Sequence, residues 1–300
     1  VWSCNRNSDH YCGNYLSEKP IQSLHRGSEQ MRTTKGKLIT GITWIIAVTY
    51  FFPVLWMFIN SFKSENDAAS LTPKFIFTPT LEGFSRLVDR GMGSYLTNSL
   101  MASVISTTLV LLLAIPAAYA LSIRPVVKVQ DALFFFISTR FMPAAASILP
   151  LFIIFKNLRV LDNIFALSLV YASMNLPIAI WMMRSFLSEV PIEVIEASRI
   201  DGADFETELW SVVLPIVLPG IAAVALICFI FSWNEYFFSV LLTSANAKTT
   251  PPFLASFVDG RGQFLAVLSA ASTVAALPVI LAGWLAQKQL VRGLAMGAVK

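Results

Sequence analysis

Histidine is almost missing from this chain: His10 and His25 are the two, and both lie in the first thirty residues. The apolar remainder therefore has no histidine for a catalytic or metal centre. Cysteine is nearly as scarce. Cys4 and Cys12 sit in the N-terminal stretch and Cys228 inside an apolar run, a spacing that resembles neither a metal site nor a disulfide framework. Charge is scarce too, at 13% Asp, Glu, Lys and Arg against about 25% in a soluble domain. The phosphate-binding loop Gly-x-x-x-x-Gly-Lys-Ser/Thr is absent. "TTKGKL" supplies Gly36 and Lys37 without the leading glycine or the following hydroxyl. The chain is not expected to hold ATP, magnesium or any other cofactor itself. The formal charge of +4 is what loop lysines and arginines leave in a membrane protein, and it does not point to nucleic acid.

What is present is apolar. Hydrophobic residues make up 56% of the chain, with 23 phenylalanines and a mean hydropathy of +0.66. Six runs emerge, about 38–62, 95–121, 132–155, 163–186, 216–242 and 264–286. Each is near the length a helix needs, at about 1.5 Å per residue, to cross about 30 Å of hydrocarbon. Backbone groups cannot stay unpaired in lipid, so the expected fold is all-α, a polytopic protein with six transmembrane helices. Arg32, Lys35 and Lys37 precede the first run, which places both termini inside. Residues 1–30 are polar and aperiodic and unlike the rest. Met31 is read as the natural start, 1–30 as an upstream extension, and 31–300 as one transmembrane domain.

Between the fourth and fifth runs lies a charged segment, "SEVPIEVIEASRIDGADFETELWSVVLPIVLPG". Ser188 is expected to cap a helix whose first turn holds Pro191. Ile192, Ile195 and Ala197 are expected to share its apolar face. Gly202 suits the end of that helix, Asp204 the cap of a second, and Pro215 and Pro219 the start of the fifth span. An interfacial helix resting on lipid carries many cations on its polar face. This one carries Arg199 among Glu189, Glu193, Glu196, Asp201, Asp204, Glu206 and Glu208. A helix–turn–helix that docks into a soluble partner fits that balance better.

"EASRIDGADFETELWSVVLP" resembles the EAA loop of permease subunits of bacterial ABC importers, with Ser198 in place of the second alanine. "FSWNEYFFSVLLT" (231–243) and "QKQLVRGLAMGAVK" (287–300) resemble the MalG-like carbohydrate branch. "ISTRFMP" (137–143), taken with the tail, looks closest to permeases for sugar alcohols such as mannitol and sorbitol. The resemblance implies a permease of the inner membrane working with a second permease subunit and an ABC ATPase dimer. It also implies a periplasmic or lipid-anchored solute-binding protein, with ATP and Mg bound by the ATPase. Glu196, Ala197, Ser198, Asp201, Gly202, Ala203, Leu214 and Pro215 would then couple the chain to the ATPase through a cytoplasmic helix–turn–helix.

Ionisable and polar groups inside spans are costly and so are candidates for function. Arg140 and Glu235 stand out. Depth along straight helices separates them, so Arg140 is expected to snorkel to one interface and Glu235 to lie near the other. Trp233, Asn234 and Tyr236 could line a pathway for polyhydroxylated solutes, with Asn98 and Asn175 as further candidates. An ion-coupled carrier needs acids at the midplane, and the spans offer essentially Glu235 alone. A membrane enzyme lacks any acid pair or nucleophile–base set.

Overall fold

A computed structural model describes residues 34–124, 128–258 and 264–298. The upstream stretch 1–30 and Met31 lie outside them. The described residues are helical with turns and short loops between: α1 (Thr34–Asn60), α2 (Glu65–Ala68), α3 (Glu82–Asp89), α4 (Met92–Ser122), α5 (Val129–Arg140), α6 (Ala144–Asn157), α7 (Ile164–Leu187), α8 (Ile192–Ile200), α9 (Phe205–Thr207), α10 (Leu214–Trp233), α11 (Phe237–Leu242), α12 (Thr250–Ala255) and α13 (Leu265–Ala298). Five helical stretches are long and apolar enough to cross a membrane, and α5 with α6 forms a sixth candidate bent by 85°.

The chain divides into two compact units at Trp56 and Met57. Most of α1 lies in the first, with Trp44, Ile45 and Phe51 exposed along an apolar rod. In the second unit α4 packs along α7, and α10 packs on α4, α7 and α13. The centre of that packing is made of small and medium side chains: Val110, Ala114 and Ala118 on α4, Ala179 and Met183 on α7, Val224 and Cys228 on α10. Small residues suit a lipid-embedded bundle. Lipid tails are as apolar as leucine, so close van der Waals approach holds helices together.

Gly220 is one such approach. A Cβ there would lie 2.4 Å from Cγ of Phe186 and 2.8 Å from its Cβ, too near the phenylalanine backbone for a rotamer change to relieve. Gly220→Val is expected to cost about 1–3 kcal/mol by overpacking, read as a lowered melting temperature in detergent. Phe186→Ala should restore only part of it, because the ring is removed but the Cβ at 2.8 Å remains. If Gly220→Val melts like the parent, the close contact is not what holds α7 to α10.

Two spans break where a continuous run was expected, and the last is longer than expected. The third breaks after Arg140, because Pro143 offers no N–H and Met142 before it is steered away from helical angles. The fifth ends at Trp233 instead of running to 242. There the Glu235 carboxylate accepts the Phe238 N–H at 2.8 Å and starts α11 afresh. The last helix runs past 286 to Ala298. The stretch between the first two spans is not bare loop but carries α2 and α3, with Ser64 capping α2.

Candidate functional site

The charged segment forms a helix, a glycine turn and a second helix, with local differences. Ser188 closes α7 instead of opening α8: its backbone is helical and its Oγ donates to Arg184 O at 2.8 Å. Pro191 occupies the capping position of α8, in extended backbone. The inward face of α8 is Ile195 and Ser198, whose Oγ donates to Ile195 O. Ile192 and Ala197, expected on that face, are exposed. Ala197, two residues from Ile195, lies off the stripe, whereas Ser198 falls one turn along it; Ile192 is one turn back, at the first residue of the helix, and is left uncovered there.

The turn is built by hydrogen bonds. Ala203 N–H reaches Ser198 O at 2.9 Å and Gly202 N–H reaches Arg199 O at 3.1 Å, the paired pattern of a Schellman helix end. Gly202 takes φ +86°, the left-handed region that favours glycine. Asp204 then caps α9, its Oδ1 accepting Thr207 N–H at 2.9 Å, and the Thr207 hydrogen bonds hold its carboxyl below the usual range. Beyond α9 the turn widens into a π-helix at Glu208–Val213 before α10. Pro215 explains this: it removes a hydrogen bond to the residue four back and its ring crowds that carbonyl.

Glu196, Ala197, Asp201 and Gly202 are exposed and Ala203 is half-buried, while Ser198 and Leu214 are buried and pack inward. Ile200, Phe205 and Trp210 add exposed apolar surface to the same segment. This is an outward-facing knob with a packed root.

The root holds a group that sequence reasoning passed over. Glu208, counted there as one more surface acid, is fully buried. Its carboxylate accepts Arg199 Nε at 2.9 Å and Nη2 at 3.0 Å, Arg124 Nη2 at 2.7 Å, and the Tyr119 hydroxyl. The one hint was its position beside the apolar LWSVVLP run. Its partners at 119 and 124 are too distant in sequence for local pattern to find.

A second cluster sits where the third and fifth spans break. A cavity of about 160 Å³ is lined by Arg140, Tyr171, Met174, Asn175, Phe231, Ser232 and Glu235. A neighbouring one of about 400 Å³ shares Arg140 and Met174 and adds Thr139, Ser147, Ser173 and Phe238 among its walls. Arg140 does not snorkel away. Its Nη1 donates to Met174 O at 2.5 Å and its guanidinium lies 5.5 Å from the Phe231 ring centre. It shares a wall with Glu235, which the straight-helix expectation had kept apart. The broken spans bring both chain ends to one place, and no ion pair links the two among the described residues. Asn175 Nδ2 donates to Ser232 Oγ at 3.0 Å, and Ser232 in turn bonds Ser106.

The other pathway candidates do not line these cavities. Trp233 is buried and stacks on Phe229. Asn234 Nδ2 folds back on Ile230 O at the end of α10, and Tyr236 is exposed. Asn98 Nδ2 ties α4 to the 246–248 loop through Asn246 O and Lys248 O.

That loop has a second anchor. Asp162, at φ +56°, accepts the backbone N–H groups of Ser244, Ala245, Asn246 and Ala247. Burial alone would raise its carboxyl, but these donors outweigh it and hold the group far below the ordinary range. A depressed carboxyl stabilises above its unfolded pKa and loses that contribution as pH falls through the folded one, so the anchor should hold through mildly acid conditions. Asp162→Ala is expected to cost about 1–3 kcal/mol and to open residues 244–248 to protease. Unchanged melting and cleavage would remove the anchor from the account.

An apolar helical bundle with an outward helix–turn–helix and a polar cavity at broken spans defines a membrane permease. The chain belongs to the family described as binding-protein-dependent transport system inner membrane component, whose pattern matches residues 110–295. It is similar to an ABC transporter permease protein of Sinorhizobium fredii, 35% identical over 91% of this chain and 99% of that one. It is also similar to the trehalose/maltose transport system permease protein MalG of Thermococcus litoralis, 29% identical over 85% and 94%. Its fold is similar to the crystal structure of a bacterial ABC transporter involved in the import of the acidic polysaccharide alginate. The TM-score is 0.68 at 24% identity, covering 85% of this chain and 96% of that one. The chain is thus an inner-membrane permease component of an ABC transporter and not an enzyme. ATP hydrolysis belongs to a separate subunit.

Proposed function

We propose that this permease carries a sugar or sugar alcohol, with its substrate-facing wall at the Arg140–Asn175–Glu235 cavity. The observation that carries the reading is that cavity. It sets a guanidinium, an amide, a hydroxyl and a carboxylate around an aromatic face, and polyhydroxylated solutes need both kinds of surface. The trehalose/maltose relative supports a carbohydrate, and the resemblance of "ISTRFMP" supports a polyol. In this reading both termini are cytoplasmic, and a second permease completes the pathway. A solute-binding protein delivers substrate on the far side. α8 seats in a cleft of the ATPase, presenting Glu196, Ala197 and Ile200. The ATPase binds ATP and Mg; its closure moves α8 and turns the permeases from inward-open to outward-open.

The test is co-purification of this chain with the products of neighbouring genes, followed by ATPase assays with the binding protein and a panel of sugars and polyols. Stimulation by a polyol supports the finer reading, and stimulation by a disaccharide alone replaces it with a sugar importer. A chain that elutes without an ATPase overturns the docking role of α8.

A further inference from the structure

Glu208 joins three segments through one side chain. Arg199 reaches it from the last turn of α8, Tyr119 from the last turns of α4, and Arg124 from just beyond α4. Glu208 itself begins the π turn that feeds α10. Oε1 takes Tyr119 Oη and Arg199 Nη2; Oε2 takes Arg124 Nη2 and Arg199 Nε, so each oxygen has two donors. Arg199 approaches with the side of its guanidinium, a two-point geometry that resists rotation as well as separation. The carboxylate has no exposed surface, whereas the Arg124 and Arg199 side chains are 41% and 37% exposed. Parting either arginine from Glu208 would leave a buried charge short of partners, which is far costlier than losing a surface pair.

We infer that Glu208 is a positioning residue for transport. It fixes the docking helix α8 to the end of α4 as well as to α10, so that movement of α8 is delivered to the second and fifth spans together. Without it, α8 connects onward through the apolar packing of Ile195 and through its own chain, across the Gly202 turn and the π turn. A π turn interrupts the regular α-helical hydrogen-bond ladder. The carboxylate sits on the first residue of that turn. A push on α8 therefore reaches α4 through Glu208 without crossing residues 209–213. The inference rests on the reading of α8 as the ATPase-docking helix.

The experiment measures solute moved per ATP hydrolysed, with the assembled importer in proteoliposomes. Tyr119→Phe with Arg124→Gln is the main variant, because it leaves the Arg199–Glu208 pair inside the loop intact and removes both hydrogen bonds that tie the end of α4 to it. Folded yield is read alongside, because the buried carboxylate loses partners. The double variant is expected to retain ATPase co-elution and basal hydrolysis per folded protein while the transport-to-hydrolysis ratio falls about tenfold. Glu208→Gln, which keeps the shape and removes the charge, should do the same or more, and Arg124→Lys should recover part of the ratio. If the cluster merely shapes the loop, the double variant transports with the parental ratio, and the inference is overturned. It is equally overturned if uptake and hydrolysis fall in step with the amount of folded protein. Failure of the parent chain to hold an ATPase would instead remove the docking reading, and the link with it.

Discussion

Gly202→Asp is expected to stop uptake while the chain still inserts in the membrane. Nothing lies within 4 Å of a Cβ placed on Gly202, so the side chain finds room. The obstacles are backbone and charge. Left-handed backbone costs most L residues about 1–2 kcal/mol, but Asp and Asn pay less because their short polar side chains bond locally. Gly202→Asn thus separates the two effects: it meets the same backbone demand without a charge. Gly202→Asp sets a third carboxylate beside Asp201 and Asp204 on the outward face of the knob. A fall in uptake of at least tenfold, equivalent to about 1.4 kcal/mol of lost coupling, is expected for Asp, with Asn near the parent. ATPase co-elution should weaken in the Asp variant alone. If Asp and Asn are equally inactive, the turn geometry matters and the exposed face does not. If Asp transports normally, the turn does not dock.

The contrast between this loop and the spans shows what local sequence can carry. Gly202, Asp204 and Pro215 act on backbone within a few residues of themselves, so the helix–turn–helix is legible from its own twenty residues. The candidate spans are legible as well, because length and apolarity mark them: five among the described residues, or six if the bent pair is one span. The breaks are not. Pro53, Pro116, Pro150, Pro177, Pro219 and Pro278 all lie inside continuous helices, whereas Pro143 ends up between two. Proline alone does not mark the broken span; neighbouring helices decide whether the freed carbonyl finds another donor. Once the breaks are missed, helix depth gives the wrong distance between Arg140 and Glu235. Glu208 was hidden for a related reason: an acid among acids reads as surface until a distant arginine and tyrosine are brought to it.

The cavity gives the second large effect. Arg140→Gln is expected to lower the maximal rate of uptake about tenfold with the half-saturating concentration unchanged. The guanidinium is held by Met174 O and by the face of Phe231, which leaves its other N–H groups for a solute. A hydrogen bond to a charged group contributes about 1.5–3 kcal/mol, enough for a tenfold change in rate. The separation of rate from affinity follows from delivery. Solute in solution meets the binding protein first, so half-saturation reports that protein, and the permease wall acts only after handover. Glu235→Gln should be milder, because one carboxylate oxygen is already committed to Phe238 N–H and an amide oxygen can still accept it. Asn234→Ala, outside the cavity, should leave both parameters alone. A shift of the half-saturating concentration in Arg140→Gln would mean that the chain itself captures solute. A parental rate in that variant would place the pathway on the partner permease.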